Sequence, residues 1–177
     1  MKKIFLALAA LATLTFVSCE KKDVGGTEVK DMSGEWYVHV VAIDTDGTVL
    51  YEDPDLYDFG NFILLTYNDA ANNGDKLFIQ DTPNADGDLF WDLKVKANCN
   101  NGDNTFSVKA APDLNNGITI DITNGKVLYG AAKTPSGMAA DSITMDILFS
   151  DDSYAGGVAY DRLRITGYRY SGLVADE

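Results

Sequence analysis

The feature that most constrains this chain is strict two-residue alternation. In LFWDLKVKA, residues 89–97, Leu89, Trp91, Leu93, Val95 and Ala97 share one parity, while Asp92, Lys94 and Lys96 take the other. DSITMDILF, residues 141–149, sets Ile143, Met145, Ile147 and Phe149 against Ser142, Thr144 and Asp146. Successive side chains of a strand point to opposite faces, so each run builds a sheet with one dry face and one wet face. Further strand-like runs occupy 35–43, 48–51, 61–67, 76–80, 105–110, 117–123, 126–131 and 158–170. Between the runs stand Asp44-Thr45-Asp46-Gly47, Asn72-Asn73-Gly74, Asp86-Gly87, Asn115-Asn116-Gly117 and Asn124-Gly125. Asn-Gly and Asp-Gly pairs supply the positive φ angles of tight hairpins. No window sustains a helical period, so the chain reads as all-β. Strands in this number, joined by short turns, predict an antiparallel up-and-down β-barrel of about eight to ten strands, with a β-sandwich as the alternative.

The N-terminus carries a different signal. Met1-Lys2-Lys3 precedes an apolar run from Ile4 to Val17, which has the length of a secretory signal and is too short to span a bilayer. The run closes on Phe16-Val17-Ser18-Cys19, which resembles a bacterial lipobox with Phe16 where leucine is usual. The expected organisation is a lipoprotein signal peptide at 1–18, a lipidated tether at 19–32 beginning with Cys19, and a single barrel domain at 33–177. An ordinary secretory signal is the alternative. The formal net charge of −13 becomes more negative once Lys2 and Lys3 are removed. Such a surface argues against nucleic acid and against adhesion to anionic headgroups. Acyl chains on Cys19, rather than a basic patch, would hold the protein at a membrane. The second cysteine, Cys99, lies in the turn-like Asn98-Cys99-Asn100-Asn101-Gly102 and has no disulfide partner if Cys19 is acylated. It reads as an inert thiol.

Trp36 opens the inward parity of the first run, followed by Val38, Val40 and Ala42. Near the other end of the chain, Arg169 shares parity with Leu163, Ile165 and Gly167. A guanidinium on an apolar face wants a partner, and an indole face offers roughly 0.5–2 kcal/mol. First and last strands are neighbours only if the sheet closes, so a Trp36–Arg169 stack would latch a barrel. The alternative is a bulge at Gly167 that turns Arg169 outward.

Residue types that carry chemistry are sparse. There is no G-x-S-x-G nucleophile elbow, and Ser33 and Ser136 read as turn or strand-start residues. His39 is the only histidine, and its parity places it opposite Trp36 on the wetter face. One histidine and one available cysteine leave no His/Cys metal motif, and no cofactor is implied. The acidic strings Asp44-Thr45-Asp46-Gly47, Asp86-Gly87-Asp88 and Asp151-Asp152 lack the spacing of an EF-hand loop and read as turn chemistry. Tyr154, Tyr160, Tyr168 and Tyr170 crowd the C-terminal region and read as β-favouring cover on the outer face, with a sugar- or partner-binding surface as the alternative.

Five segments carry a resemblance to a known family. They are GEWYV (34–38), TYNDAANN (66–73), FWDLKVK (90–96), Thr134-Pro135-Ser136-Gly137 leading to Asp141-Ser142-Ile143, and ITGYRYSG (165–172). Together they resemble the Bacteroidetes envelope lipoproteins described as lipid-binding putative hydrolases. That resemblance implies a lipocalin-like barrel on an outer-membrane lipoprotein, facing either the periplasm or the cell surface. The inward apolar set, Trp36, Val38, Val40, Trp91, Leu93, Val95, Ile143, Met145, Ile147, Phe149, Leu163 and Ile165, would line any cavity. A ligand there would be a lipid or another small hydrophobic molecule. Two alternatives stay open: a hydrolase acting on an ester or lipid, which rests on the family resemblance, and a non-enzymatic interaction scaffold with a packed barrel.

Overall fold

The alternating runs assemble into a closed antiparallel meander. The computed structural model describes residues 26–52, 62–84, 86–155 and 157–176. Residues 1–18 and Cys19 lie outside the described residues. The strands are β1 (Gly34–Ile43), β2 (Val49–Glu52), β3 (Phe62–Tyr67), β4 (Lys76–Asp81), β5 (Lys94–Asn100), β6 (Thr105–Pro112), β7 (Thr119–Lys133), β8 (Ala139–Phe149), β9 (Tyr154–Ala155), β10 (Val158–Ala159) and β11 (Arg162–Arg169). A short 3-10 turn, Val174–Asp176, follows. One edge of β1 is shared. Its residues Val41–Ile43 pair with β2, and Gly34–Val38 pair with β3, so β2 and β3 fill a single strand position. The other edge of β1 pairs with β11 from Trp36↔Arg169 to Ile43↔Arg162. The result is an eight-stranded barrel, in the order β1, β2/β3, β4, β5, β6, β7, β8, β11.

Three strand expectations are corrected. Residues 89–93 are not strand, because Asp92 takes φ 55° and turns the chain before β5 begins at Lys94. That strand runs on to Asn100, so Cys99 sits in a strand opposite Phe106 rather than in a turn. The runs 117–123 and 126–131 are one long strand, β7. Asn124-Gly125 makes no hairpin there. Asn124 has φ 56°, and the register with β8 shifts between Thr123 and Lys126, which is a bulge. A Cβ on Gly125 would collide with the Phe106 ring and carbonyl, so glycine is what lets β6 and β7 coil together here. At Gly167 the expected possibility of a bulge is not realised. Pairing runs unbroken through Val38↔Gly167 and Gly167↔Ile143.

The barrel has two unlike ends. At the lower end the chain enters through a turn at 28–32, where Val29 and Met32 are buried in the core. Val29 and Met32, from the end of the expected 19–32 tether, thus form part of the barrel plug. Their signal was a single i, i+3 apolar pair, too short to register as a periodic element. Trp36 lies above this turn with 0% exposure. Its Nε1 donates to Thr66 Oγ1 at 2.8 Å, and that hydroxyl donates to the Met32 carbonyl at 2.5 Å. The Arg169 guanidinium carbon stands 4.3 Å from the indole centroid. Arg169 also donates to the Ser33 carbonyl at 2.6 Å and to Asp141 at 3.1 Å. A Cβ on Gly34 would fall on the guanidinium, so Gly34 makes room for the arginine.

Two carboxylates secure the same end. Asp69 accepts the backbone N–H and side-chain amide of Asn73 at 3.0 and 2.9 Å, and the Lys96 ammonium at 3.1 Å. These donors hold its pKa down to about 2. Asp176 accepts the Ser171 hydroxyl at 2.5 Å and the Ser136 N–H at 2.8 Å, and is likewise held at about 2.

Two predictions follow from this end. Arg169→Ala should lower the unfolding free energy by about 2–3 kcal/mol, the sum expected for a charge-assisted hydrogen bond and a partly exposed cation–π contact. Gly34→Ala should cost no more than that, and the double variant should match Arg169→Ala alone in urea titration. Additive costs would mean that Gly34 serves something other than the guanidinium. The second prediction concerns acid. A carboxylate whose folded pKa is depressed stabilises the fold above its ordinary value of 3.8 and loses that contribution as pH falls toward about 2. The urea midpoint should therefore drop between those values, and Asp69→Asn should lower it at neutral pH while flattening the acid slope.

Candidate functional site at the barrel mouth

The inward side chains fill the middle of the barrel. Trp36, Leu93, Val95, Ile143, Met145, Ile147, Leu163 and Ile165 are all at 0% exposure. Val38, Val40 and Phe149 are nearly so, at 1%, 3% and 5%. These side chains are close-packed, and a ligand placed among them would have to part them. Outward positions carry Lys94, Lys96, Ser142, Thr144, Asp146 and Arg164. This is the reverse of a membrane-spanning barrel, whose apolar band faces out.

Trp91 stands apart from that set because it is only half-buried. It belongs to the β4–β5 connection at the upper end, where it joins a cluster of rings. Phe62 and Phe90 stack at 4.3 Å, and Trp91 meets them edge-on at 5.3 and 4.6 Å. The Phe149 ring lies 4.9 Å from Trp91. Beside this cluster opens a concavity of about 430 Å³ lined by Trp91, Asn116, Ile118, Phe149, Asp151 and Asp152. Exposed Val49, Leu50, Leu114 and Tyr154 belong to segments at the same end.

Buried polar groups hold the Trp91 segment in place. Asp81, 1% exposed, accepts the N–H groups of Trp91, Asp92 and Leu93 at 2.8, 3.0 and 2.7 Å. Burial pushes its carboxyl above the usual range, and those three donors partly oppose the rise. From the other side, Asp113 accepts the Lys94 N–H at 3.2 Å. Asn116 donates to the carbonyls of Trp91 and Asp92 at 3.1 and 3.0 Å. Sequence reading passed over Asp81, although parity would have found it. It follows Leu77 and Ile79 on the inward face, where a carboxylate must have donors.

The remaining sequence candidates fall elsewhere. His39 lies on the outer wall, with Nε2 3.2 Å from Thr166 Oγ1. Ser136 and Ser33 act in turns at the lower end. Burial raises the Cys99 thiol, whose sulfur lies 3.7 Å from the Gly74 carbonyl. The acidic strings serve their own turns: Asp44 accepts the N–H groups of Asp46 and Thr48, and Asp152 accepts that of Tyr154. Among the described residues no three His, Cys, Asp or Glu side chains gather to hold a metal ion. Tyr168 and Tyr170 pack on Tyr37 at 5.9 and 5.1 Å. Tyr160 departs from the outer-face reading. It is 5% exposed and packs with the core, because it precedes β11 and strand parity does not govern it.

A closed eight-stranded antiparallel barrel with a dry interior is a lipocalin-like fold. The family model described as "lipid-binding putative hydrolase" matches residues 21–174, and the chain belongs to that family. No curated protein matches it.

The clamp on the mouth is testable. Asp81→Asn replaces one acceptor oxygen by an amide that faces N–H groups. Amide exchange at Trp91, Asp92 and Leu93 should accelerate on the order of ten-fold or more, as expected when a hydrogen bond to a charged acceptor is lost. Unchanged exchange at those three positions would show that the β6–β7 loop alone holds the segment.

Proposed function

We propose that this chain is an outer-membrane lipoprotein, anchored through acyl chains on Cys19, whose barrel binds a lipid or other small apolar molecule. The binding residues are Trp91 and Phe149 at the mouth, and the other inward residues form the floor beneath. The observation that carries this reading is the aromatic cluster bordering a concavity of about 430 Å³, a size typical of small-molecule sites. Membership of a family described as lipid-binding supports it.

The packed interior favours one other reading, an interaction scaffold with no small ligand. Hydrolysis draws support from the family description alone, since His39 lies on the outer wall and not at the mouth.

Native mass spectrometry separates the first two readings. The chain from Cys19 onward, carrying Cys19→Ser so that no acyl group is attached, is purified without detergent and then extracted with organic solvent. A stoichiometric bound lipid that is lost on Trp91→Ala is the expected result. A mass that stays unliganded after incubation with neutral, anionic and cationic lipids would overturn the carrier reading in favour of the scaffold.

A further inference from the structure

Charge at the mouth selects among apolar ligands. The concavity that Trp91, Ile118 and Phe149 floor is also lined by Asp151 and Asp152. Asp151 is exposed and Asp152 half-exposed, so both carboxylates border the opening. The connections at this end of the barrel, 44–48, 82–93, 113–118 and 150–161, contain aspartates throughout and neither lysine nor arginine. The cations beside these connections lie away from the concavity's lining: Lys94 sits over the Phe78 ring at 5.8 Å, and Arg164, which reaches Gly47 of the 44–48 loop, is paired with Asp146 at 2.7 Å. An anionic amphiphile entering this mouth would give up hydration in a field of its own sign. A cationic one meets the opposite case: carboxylates for its head, and an indole face that attracts positive charge.

We propose that the mouth takes an amphiphile with a positively charged head, such as an alkylammonium, whose apolar body lies against Trp91 and Phe149 and whose head lies between Asp151 and Asp152. This rests on the carrier reading above and narrows its ligand class. The ammonium is held by charge and by the indole, the chain by burial of apolar surface. The site thereby separates cationic from anionic amphiphiles of equal length.

The test uses three probes of one chain length: decyltrimethylammonium, uncharged decanol and decanoate. Each is titrated below its aggregation concentration into the Cys19→Ser chain, with binding read by calorimetry and by tryptophan fluorescence. The expected order is cation, then neutral, then anion, with the cation at least about ten-fold tighter than the anion from two exposed charge pairs and one cation–π contact. Asp151→Asn with Asp152→Asn should bring the cation to the affinity of decanol and leave decanol unchanged. Asp75→Asn with Asp103→Asn, which removes two charges at the lower end, should change neither and so excludes attraction to net charge alone. Trp91→Ala should weaken all three. Decanoate binding as tightly as the cation overturns the cationic-head proposal and leaves the carrier reading standing. No binding by any of the three, in a chain whose native mass spectrum also stays unliganded with the lipid panel, overturns both.

Discussion

Everything in this molecule depends on the pairing of its first full strand with its last. Trp36 to Ile43 of β1 bond to Arg169 to Arg162 of β11, and that seam turns an open sheet into a barrel. Without it, β1 and β11 would each present a row of unpaired backbone groups to water. The inward residues would also lose their enclosure, since a sheet face stays dry only when something covers it. The seam joins the most distant parts of the chain, so its loop-closure entropy is spent before its contacts form. Side chains reinforce it where it is most exposed to fraying. At its lower end Arg169 holds the indole of Trp36 and the Ser33 carbonyl together. Further up, Arg164 of β11 binds Asp146 of β8 at 2.7 Å, which fixes β11 to its other neighbour, not to β1. The latch itself is worth about 2–3 kcal/mol. Truncating any one of the fully buried aliphatic residues costs a similar or larger amount, roughly 2–5 kcal/mol. The core supplies the stability, and the latch decides where the sheet ends meet.

The same closure makes the two ends unlike. The lower end is plugged by Trp36 from β1, Val29 and Met32 from the segment before it, and the Asp176 carboxylate binding Ser171 and Ser136. The upper end has no comparable plug among the described residues. It has rings that touch one another and leave one face of Trp91 toward a concavity. Asp81 makes this arrangement stiff, because one buried carboxylate satisfies three consecutive N–H groups that would otherwise be left without acceptors. A mouth held this way loses little conformational entropy when something binds, which is what preorganisation contributes to affinity.

How much of this was legible follows from the physics of each element. Strand parity read the buried faces of β1, β8 and β11, because burial on one face imposes a period of two. It misread 89–93 because an alternating pattern continues through Asp92, whose positive φ turns the chain just before β5 begins, without any glycine to announce it. Asn124-Gly125 was misread for the converse reason: the dipeptide that makes hairpins also makes bulges, and only the partner strand decides between them. The aromatic mouth was half visible. Trp91 and Phe149 stood on the right face, while Phe62, at the start of β3, and Phe90, in the irregular β4–β5 connection, come together only in the fold. Asp81 was readable as a carboxylate on a dry face, but its donors lie in an irregular segment that no pattern describes.

A packed barrel changes what binding can mean for this fold. In a hollow barrel the ligand is selected by the shape of an interior, and its polar head is left near the opening. Here the interior is already occupied by Ile, Leu, Val and Met side chains at 0% exposure, and displacing them would forfeit contacts that make up the core. On the proposed carrier reading, recognition moves outward, to the rim that Trp91 and Asp151 both line. At such a rim the apolar part of a ligand is only partly buried, so burial alone gives weak discrimination, and the sign of the charge beside it carries more of the choice. The acidic composition that first argued against nucleic acid and anionic headgroups thus gains a local meaning. Two of its aspartates, Asp151 and Asp152, border the concavity beside Trp91.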